Sequence, residues 1–332
     1  MIIKKTSTNA SASLAGWDFQ INAAIFLFLD NLKNVKAVRV EGSKEDIELT
    51  FNDGKKLYSQ AKHFINPEKG NFSSRLKDAL GTLNEAAKGN DGVKFTYVTN
   101  TFNPFAIASS RWCFFNGGHL EYDELPEACK NKLNQLLDEN NYKALDVNLF
   151  DIQVIQFYGK DTDNRYKEIR RKLEESLGPL GVRFSSTITS ILKFWQRDFF
   201  YNATNVDTML VLSKETLIWV VIVCILEEPE PCDYKKNLTG DDCQYIMKMY
   251  GDIINTQACE FQLITKVIAD FNCDKDMPSN FIENHWQDYN DITKDLDVAD
   301  KVKAYIIKTI LYKIIIQKEV ISNIKREVGV EL

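Results

Sequence analysis

The segment between residues 40 and 63 constrains the fold more than any other part of the chain, because apolar and polar side chains alternate along it. Two alternating runs, residues 46–51 and 57–62, flank a cluster of Asn, Asp and Gly. Alternation with a period of two on both sides of turn-forming residues is typical of a β-hairpin. The segment therefore predicts two antiparallel strands joined by a tight turn.

The length of the turn decides which side chains share a face of the hairpin. A two-residue turn would place the apolar residues of the first strand beside polar residues of the second. A three-residue turn at positions 52–54, with Gly54 in the left-handed backbone region, separates apolar from polar side chains better. A shift by one residue would turn every side chain to the opposite face. We therefore expect the three-residue turn, which places Asp46 opposite Gln60, with Lys62 one step further along the same face.

The polar side chains that this register brings together have the chemistry required for metal-assisted cleavage of a phosphodiester. Asp46 and Gln60 offer hard oxygen ligands to Mg²⁺, for which Mn²⁺ can substitute. A metal ion held there polarises a phosphate oxygen and lowers the pKa of a bound water. Lys62 can stabilise the charge that grows on the phosphate. Because a neutral amide binds Mg²⁺ more weakly than a carboxylate, we expect Glu41 or Glu48 to complete the site.

The pattern of Asp46 followed by Gln60-x-Lys62 resembles the signature of the PD-(D/E)xK nuclease superfamily in its D…QxK form. The segment Gly-Trp-Asp-Phe-Gln that ends at Gln20, together with Glu41, resembles double-stranded DNA endonucleases of bacterial antiphage defence. These include CBASS-associated effectors and the nuclease subunit of Lamassu (ABC-three-component) systems. The resemblance covers roughly the first hundred residues. It implies a restriction-endonuclease-like fold, double-stranded DNA as substrate, and Gln20 and Glu41 as further residues of the catalytic site.

The periodicity of the sequence predicts two regions of different fold class. Over the first hundred residues the order is helix, three strands, helix and strand, which matches the αβββαβ core that the resemblance implies. After Gly178 apolar residues recur at helical spacing, and the breaks are rich in Gly, Pro and Asn. We expect an α/β (α+β) nuclease domain with a central mixed sheet at residues 1–160, a connecting helix or linker at 161–185, and an all-α assembly domain at 186–332.

The net charge of the chain is −6, whereas proteins that bind nucleic acids are usually basic. The first hundred residues nevertheless carry 14 Lys and Arg against 11 Asp and Glu, so a small basic excess lies in the predicted nuclease domain. We expect modest affinity for double-stranded DNA that falls as the salt concentration rises.

The seven cysteines are odd in number and form no C-x-x-C pair, which is typical of reduced thiols in a cytoplasmic protein. The N-terminal residues do not resemble a signal peptide. The longest uninterrupted apolar run, residues 217–226, is shorter than the roughly 20 residues that span a bilayer. We therefore expect a cytoplasmic protein without a membrane span.

These observations predict a Mg²⁺-dependent DNA endonuclease that acts as an effector of a bacterial antiphage defence complex. The architecture and length of the helical region resemble those of the Lamassu-type nuclease subunit. This resemblance implies docking on an SMC-like ATPase and a small accessory subunit. We expect partners to hold the enzyme inactive until release or homo-oligomerisation activates it. The alternative is a catalytically inactive scaffold of nuclease fold that binds DNA or partner subunits, which the glutamine at position 60 leaves open.

Overall fold

The structure, a computed structural model, consists of two compact units. The sheet unit comprises Met1–Ser176 and Leu192–Lys214, and the helical unit comprises Leu177–Ile191 and Glu215–Leu332. The sequence predicted a single connection at residues 161–185, whereas the chain passes between the units three times, because Leu192–Lys214 returns to the sheet unit. The structure describes residues 10–89, 91–159, 161–207, 209–228, 240–256, 262–274 and 277–330.

The described residues of the sheet unit form one mixed sheet. Its strands are β1 (Val35–Val40), β2 (Ile47–Phe51), β3 (Lys56–Lys62), β4 (Gly92–Thr99), β5 (Gly118–Glu121), β6 (Phe150–Val154) and β7 (Leu212–Ser213). Their order across the sheet is β5-β6-β4-β3-β2-β1-β7. Strands β3, β4 and β6 run parallel to one another, and the other neighbours are antiparallel. The predicted α/β class with a central mixed sheet is therefore confirmed.

Helices surround the sheet and make up the rest of the described chain. The helices before residue 178 are α1 (Ala10–Asp30), α2 (Phe72–Ala87), α3 (Ala108–Cys113), α4 (Glu127–Glu139), α5 (Thr162–Arg165) and α6 (Lys167–Leu177). Those after it are α7 (Ser185–Thr204), α8 (Lys214–Leu226), α9 (Gly240–Thr256), α10 (Gln262–Asp274), α11 (Pro278–His285), α12 (Asp300–Ile316) and α13 (Lys318–Val328). Short 3-10 helices lie at Tyr122–Glu124, Val147–Leu149, Gly178–Leu180 and Trp286–Thr293.

The hairpin between β2 and β3 has the three-residue turn that the sequence predicted. The Phe51 amide donates to the Lys55 carbonyl at 2.9 Å, and Gly54 has a φ of 82°, in the left-handed region. Ile47 pairs with Ser59 in this register. Alternation along the strands separates the two faces as expected, and the register is confirmed.

The two faces of the sheet pack against different helices. Tyr58 on β3 belongs to a buried cluster with Leu80 of α2 and Phe95 of β4. The residues that alternate with Tyr58 along β3 point to the opposite face. There the His63 ring, just after β3, lies 5.7 Å from the ring of Phe19 on α1. Polar residues on the Tyr58 face therefore lie on the α2 side of the sheet.

Helix α1 contains the candidate membrane span found among the described residues, at Ala12–Asp30. In this structure 61% of its most apolar window is buried, and α1 contacts β1, β2 and β3. Such burial against a sheet is typical of a core helix. The apolar run at residues 217–226 lies in α8 and is also buried.

The described residues of the helical unit contain helices and no strand, as the sequence predicted. Helix α12 contacts α9, α10 and α11, and its Ile306, Ile310 and Ile314 are fully buried. The buried ammonium of Lys313 donates to the carbonyl of Leu226 at 2.7 Å, just after α8 has turned. The apolar stripe of α12 is therefore the core of this unit.

A buried guanidinium fastens residues 192–214 to the sheet. Arg39 on β1 is 2% exposed and donates to the carbonyls of Asn202 at 2.6 Å, Leu210 at 2.9 Å and Asn205 at 2.9 Å. The side chain of Asn202 in turn accepts from the backbone amide of Val40 at 2.9 Å. Charged hydrogen bonds to buried carbonyls are among the stronger polar contacts in a protein, so Arg39 holds the segment that leads to β7.

We expect Arg39→Met to lower the free energy of unfolding by ~3–5 kcal/mol, because three carbonyls would lose their donor. Urea denaturation followed by circular dichroism measures this change. Lys36→Met is the matched control, since Lys36 is the exposed residue of the same strand and its replacement should change stability by less than ~0.5 kcal/mol. Equal stability of the two variants would contradict the role assigned to Arg39.

Candidate functional site

The five side chains predicted for the site come together at one end of the hairpin. Gln20 lies on α1, Glu41 and Asp46 lie in the connection between β1 and β2, and Gln60 and Lys62 lie on β3. The Gln20 amide donates to the Glu41 carboxylate at 2.8 Å and to the Asp46 carbonyl at 3.1 Å. Helix α1 is thereby joined to the segment that carries the acidic residues.

The Asp46 carboxylate is the centre of this cluster. Its Oδ2 atom accepts from the backbone amide of Ala61 at 3.0 Å and from the side-chain amide of Gln60. The Lys62 ammonium lies 3.9 Å from the same oxygen, and both side chains are one-quarter exposed. Burial raises the pKa of Asp46 above its ordinary value, and the positive charge of Lys62 opposes that rise.

The orientation of Gln60 is set from the other side by α2. The Thr82 hydroxyl donates to Gln60 Oε1 at 2.5 Å, so the amide nitrogen of Gln60 faces Asp46. The sequence predicted that the amide oxygen of Gln60 binds a metal ion beside Asp46. The amide would have to turn over to present that oxygen, so the observed orientation is one in which Gln60 compensates the Asp46 charge.

The two further carboxylates considered for the metal site have different surroundings. Glu41 accepts from Gln20 and lies within the predicted cluster. Glu48 accepts from the Lys44 backbone amide at 2.8 Å and lies 3.3 Å from the Lys56 ammonium. The charge of Glu48 is therefore already compensated, and Glu41 is the better candidate of the two.

Sequence reasoning missed Glu45, which is the most unusual ionisable group in the site. Its side chain is buried, and neither carboxylate oxygen has a hydrogen-bond partner among the described residues. Burial raises the pKa of Glu45 to about 8, the negative charge of Asp46 adds to the rise, and Lys62 opposes it. Strict alternation would place Glu45 on the face opposite Asp46. Because β2 begins only at Ile47, the preceding bend is free to bury both acids.

The donor set has the charge and chemistry that a divalent cation requires. Asp46 and Glu45 are two buried carboxylates beside the single ammonium of Lys62, and unpaired buried charge is costly. A hard cation with oxygen ligands would compensate it. No group of three or more His, Cys, Asp or Glu in the described parts of the chain is placed to hold a metal ion. An amide oxygen, such as that of Gln60, would therefore have to complete the coordination.

Comparison with known proteins gives a limited result. No protein-family model and no curated protein matches the chain. The Cap4 SAVED/CARF-domain containing receptor of Moraxella osloensis is similar in structure, with 11% identity, 73% of this chain and 61% of that chain covered, and a TM-score of 0.40.

The corresponding receptor of Acinetobacter baumannii, solved with the cyclic trinucleotide 3'3'3'-cAAA, has 12% identity, covers 73% of this chain and 59% of that chain, and has a TM-score of 0.39. The chain thus spans about three-fifths of the length of these receptors. At such TM-scores the likeness assigns neither a fold family nor a function.

We expect Glu45→Gln to raise the melting temperature in EDTA, because it removes a buried charge that no donor compensates. Since burial raises the pKa from 4.5 to about 8, the charge costs nothing below pH 4.5 and its cost grows as the pH rises to 8. At pH 8 the gain should be ~3 °C or more, and at pH 4.5 it should vanish. Differential scanning fluorimetry at both pH values measures it.

The matched control is Glu48→Gln, which alters a buried carboxylate that has two partners and should lower the melting temperature. A Glu45→Gln variant that melts at or below the wild-type temperature in EDTA at pH 8 would show that Glu45 is compensated in the folded protein.

Proposed function

We propose that the chain is a Mg²⁺-dependent DNA endonuclease with its catalytic centre at Asp46, Gln60 and Lys62. The observation that carries the proposal is the position of the Lys62 ammonium, 3.9 Å from the Asp46 carboxylate on the face that also holds Gln60. An acid, an amide and an amine on one face of a hairpin are the groups that metal-assisted phosphodiester cleavage uses.

A restriction-endonuclease-like fold for the sheet unit is part of this proposal. Strands β1, β2 and β3 form an antiparallel meander, and α2 then crosses to β4, which is parallel to β3. Helix α1 packs on this sheet and brings Gln20 to Glu41. The order of elements supports the αβββαβ arrangement that the sequence resemblance implies.

Each residue of the centre has a distinct task. Asp46, with Glu41 or Glu45 beside it, would hold the metal ion through carboxylate oxygens, and Gln60 would contribute its amide oxygen. A bound Mg²⁺ would supply a polarised phosphate oxygen and a water of lowered pKa. Lys62 donates to the oxygen on which negative charge develops, and its ammonium is kept charged and in place by Asp46.

The enzyme is further proposed to act as an effector in a bacterial antiphage defence complex. The resemblance of the first hundred residues to defence endonucleases supports this role. The helical unit is the part assigned to assembly, with an SMC-like ATPase and a small accessory subunit as partners. Activation would follow release from these partners or homo-oligomerisation on double-stranded DNA.

Asp46→Ala and Lys62→Ala should each reduce nicking of supercoiled plasmid at least ~10²-fold, because each removes a group that acts on the reacting phosphate. Cleavage by the wild type should require Mg²⁺ or Mn²⁺ and stop in EDTA. Asp53→Ala and Lys55→Ala are matched controls, since this exposed acid and amine face each other at the turn of the same hairpin. Cleavage by Lys62→Ala at the wild-type rate would refute the assignment, and a wild type inactive with every metal would favour the scaffold.

Self-assembly should control this activity. We expect the isolated monomer to cut poorly and multimeric fractions from size-exclusion chromatography to cut well, because a free nuclease without sequence readout would damage the genome that encodes it. The measurement is plasmid cleavage per mole of chain across the eluted fractions. The same specific activity in monomer and multimer would rule out activation by oligomerisation.

A further inference from the structure

The edge of the sheet next to Lys62 holds two neighbouring cavities. Strands β3, β4 and β6 are parallel, so their carboxyl ends meet at one edge, where ligands of α/β sheets commonly bind. A cavity of about 220 Å³ is lined by His63, just after β3, and by Phe157, just after β6. A larger cavity of about 710 Å³ lies beside it. Both share Tyr158 and Gly159, so they form one groove that begins next to Lys62.

Exposed aromatic rings lie along this groove. Tyr158 is 43% exposed, and its ring centre is 5.8 Å from that of Phe102. Phe102 in turn lies 6.5 Å from Phe115, which is 60% exposed, and Trp112 on α3 is 81% exposed. Aromatic rings that the core does not use provide flat surfaces on which unpaired nucleobases stack.

The larger cavity adds polar groups that suit a nucleotide. Helix α6 contributes the exposed cations Lys167 and Arg171, and the amide of Asn164 also faces the cavity. The carboxylate of Glu168 is held by the backbone amide of Gln156 and lies 3.7 Å from Arg171, which limits its repulsion of a phosphate. The volume lies within the range of pockets that hold small ligands, about 300–1,000 Å³.

We infer that this groove binds an unpaired stretch of a DNA strand and leads it to the catalytic centre. A base stacks on Tyr158, and the adjoining phosphate pairs with Lys167. A duplex cannot make the same contact, because its bases already stack on one another inside the helix. The role of the groove as a substrate path rests on the proposed endonuclease function, whereas binding of a single strand does not.

Fluorescence anisotropy in EDTA separates binding from cleavage. The probes are fluorescein-labelled dT15 and a blunt 15-base-pair duplex. Tyr158→Ala should weaken dT15 binding ~10-fold, the loss expected from about 1.4 kcal/mol of stacking, and leave duplex binding unchanged. Tyr158→Phe keeps the ring and should restore binding. Tyr201→Ala is the matched control, because Tyr201 is 63% exposed in the sheet unit but lies outside the groove.

Two results would overturn the inference: dT15 affinity in Tyr158→Ala equal to that of the wild type, or the same loss in Tyr201→Ala. The fate of the endonuclease proposal is read independently. Binding of dT15 that depends on Tyr158, in a protein that cuts no DNA with any metal, would support the groove and refute the nuclease. Metal-dependent cleavage with unchanged dT15 binding in Tyr158→Ala would do the reverse.

Discussion

The register of the β2–β3 hairpin is the constraint on which the site depends. Ile47 and Leu57 are fully buried on the α1 side of the hairpin, and burial of one such side chain contributes ~1.5–3 kcal/mol. A shift by one residue would expose them and carry Gln60 and Lys62 to the opposite face, away from Asp46. Apolar burial on one face of the sheet therefore positions the polar groups on the other.

The same arrangement leaves more negative than positive charge in a buried place. Asp46 is partly compensated by the Ala61 amide and by Lys62, whereas the oxygens of Glu45 have no partner among the residues that the structure describes. Folding alone does not favour such a group, since an isolated buried carboxylate lowers stability. A ligand that supplies positive charge would recover that loss, and this is a reason to associate Glu45 with binding and not with the stability of the free protein.

Local patterns in the sequence predicted the parts of the fold that depend on neighbours along the chain. The turn that ends at Gly54 and the face shared by Asp46 and Gln60 follow from alternation and turn chemistry. The return of Leu192–Lys214 to the sheet unit was not predictable in this way, because Arg39 binds backbone carbonyls, which carry no residue signature. Glu45 was missed because alternation applies only within a strand, and the bend before β2 breaks it.

The glutamine at position 60 has a physical reason in this setting. A glutamate there would add a further carboxylate to a site in which Asp46 and Glu45 already exceed the charge of Lys62, and it could not donate to Asp46. The amide of Gln60 does donate to Asp46, while Thr82 holds its oxygen from the α2 side. If Glu45 supplies the second negative charge of the centre, a neutral residue at position 60 is compatible with chemistry and need not mark its loss.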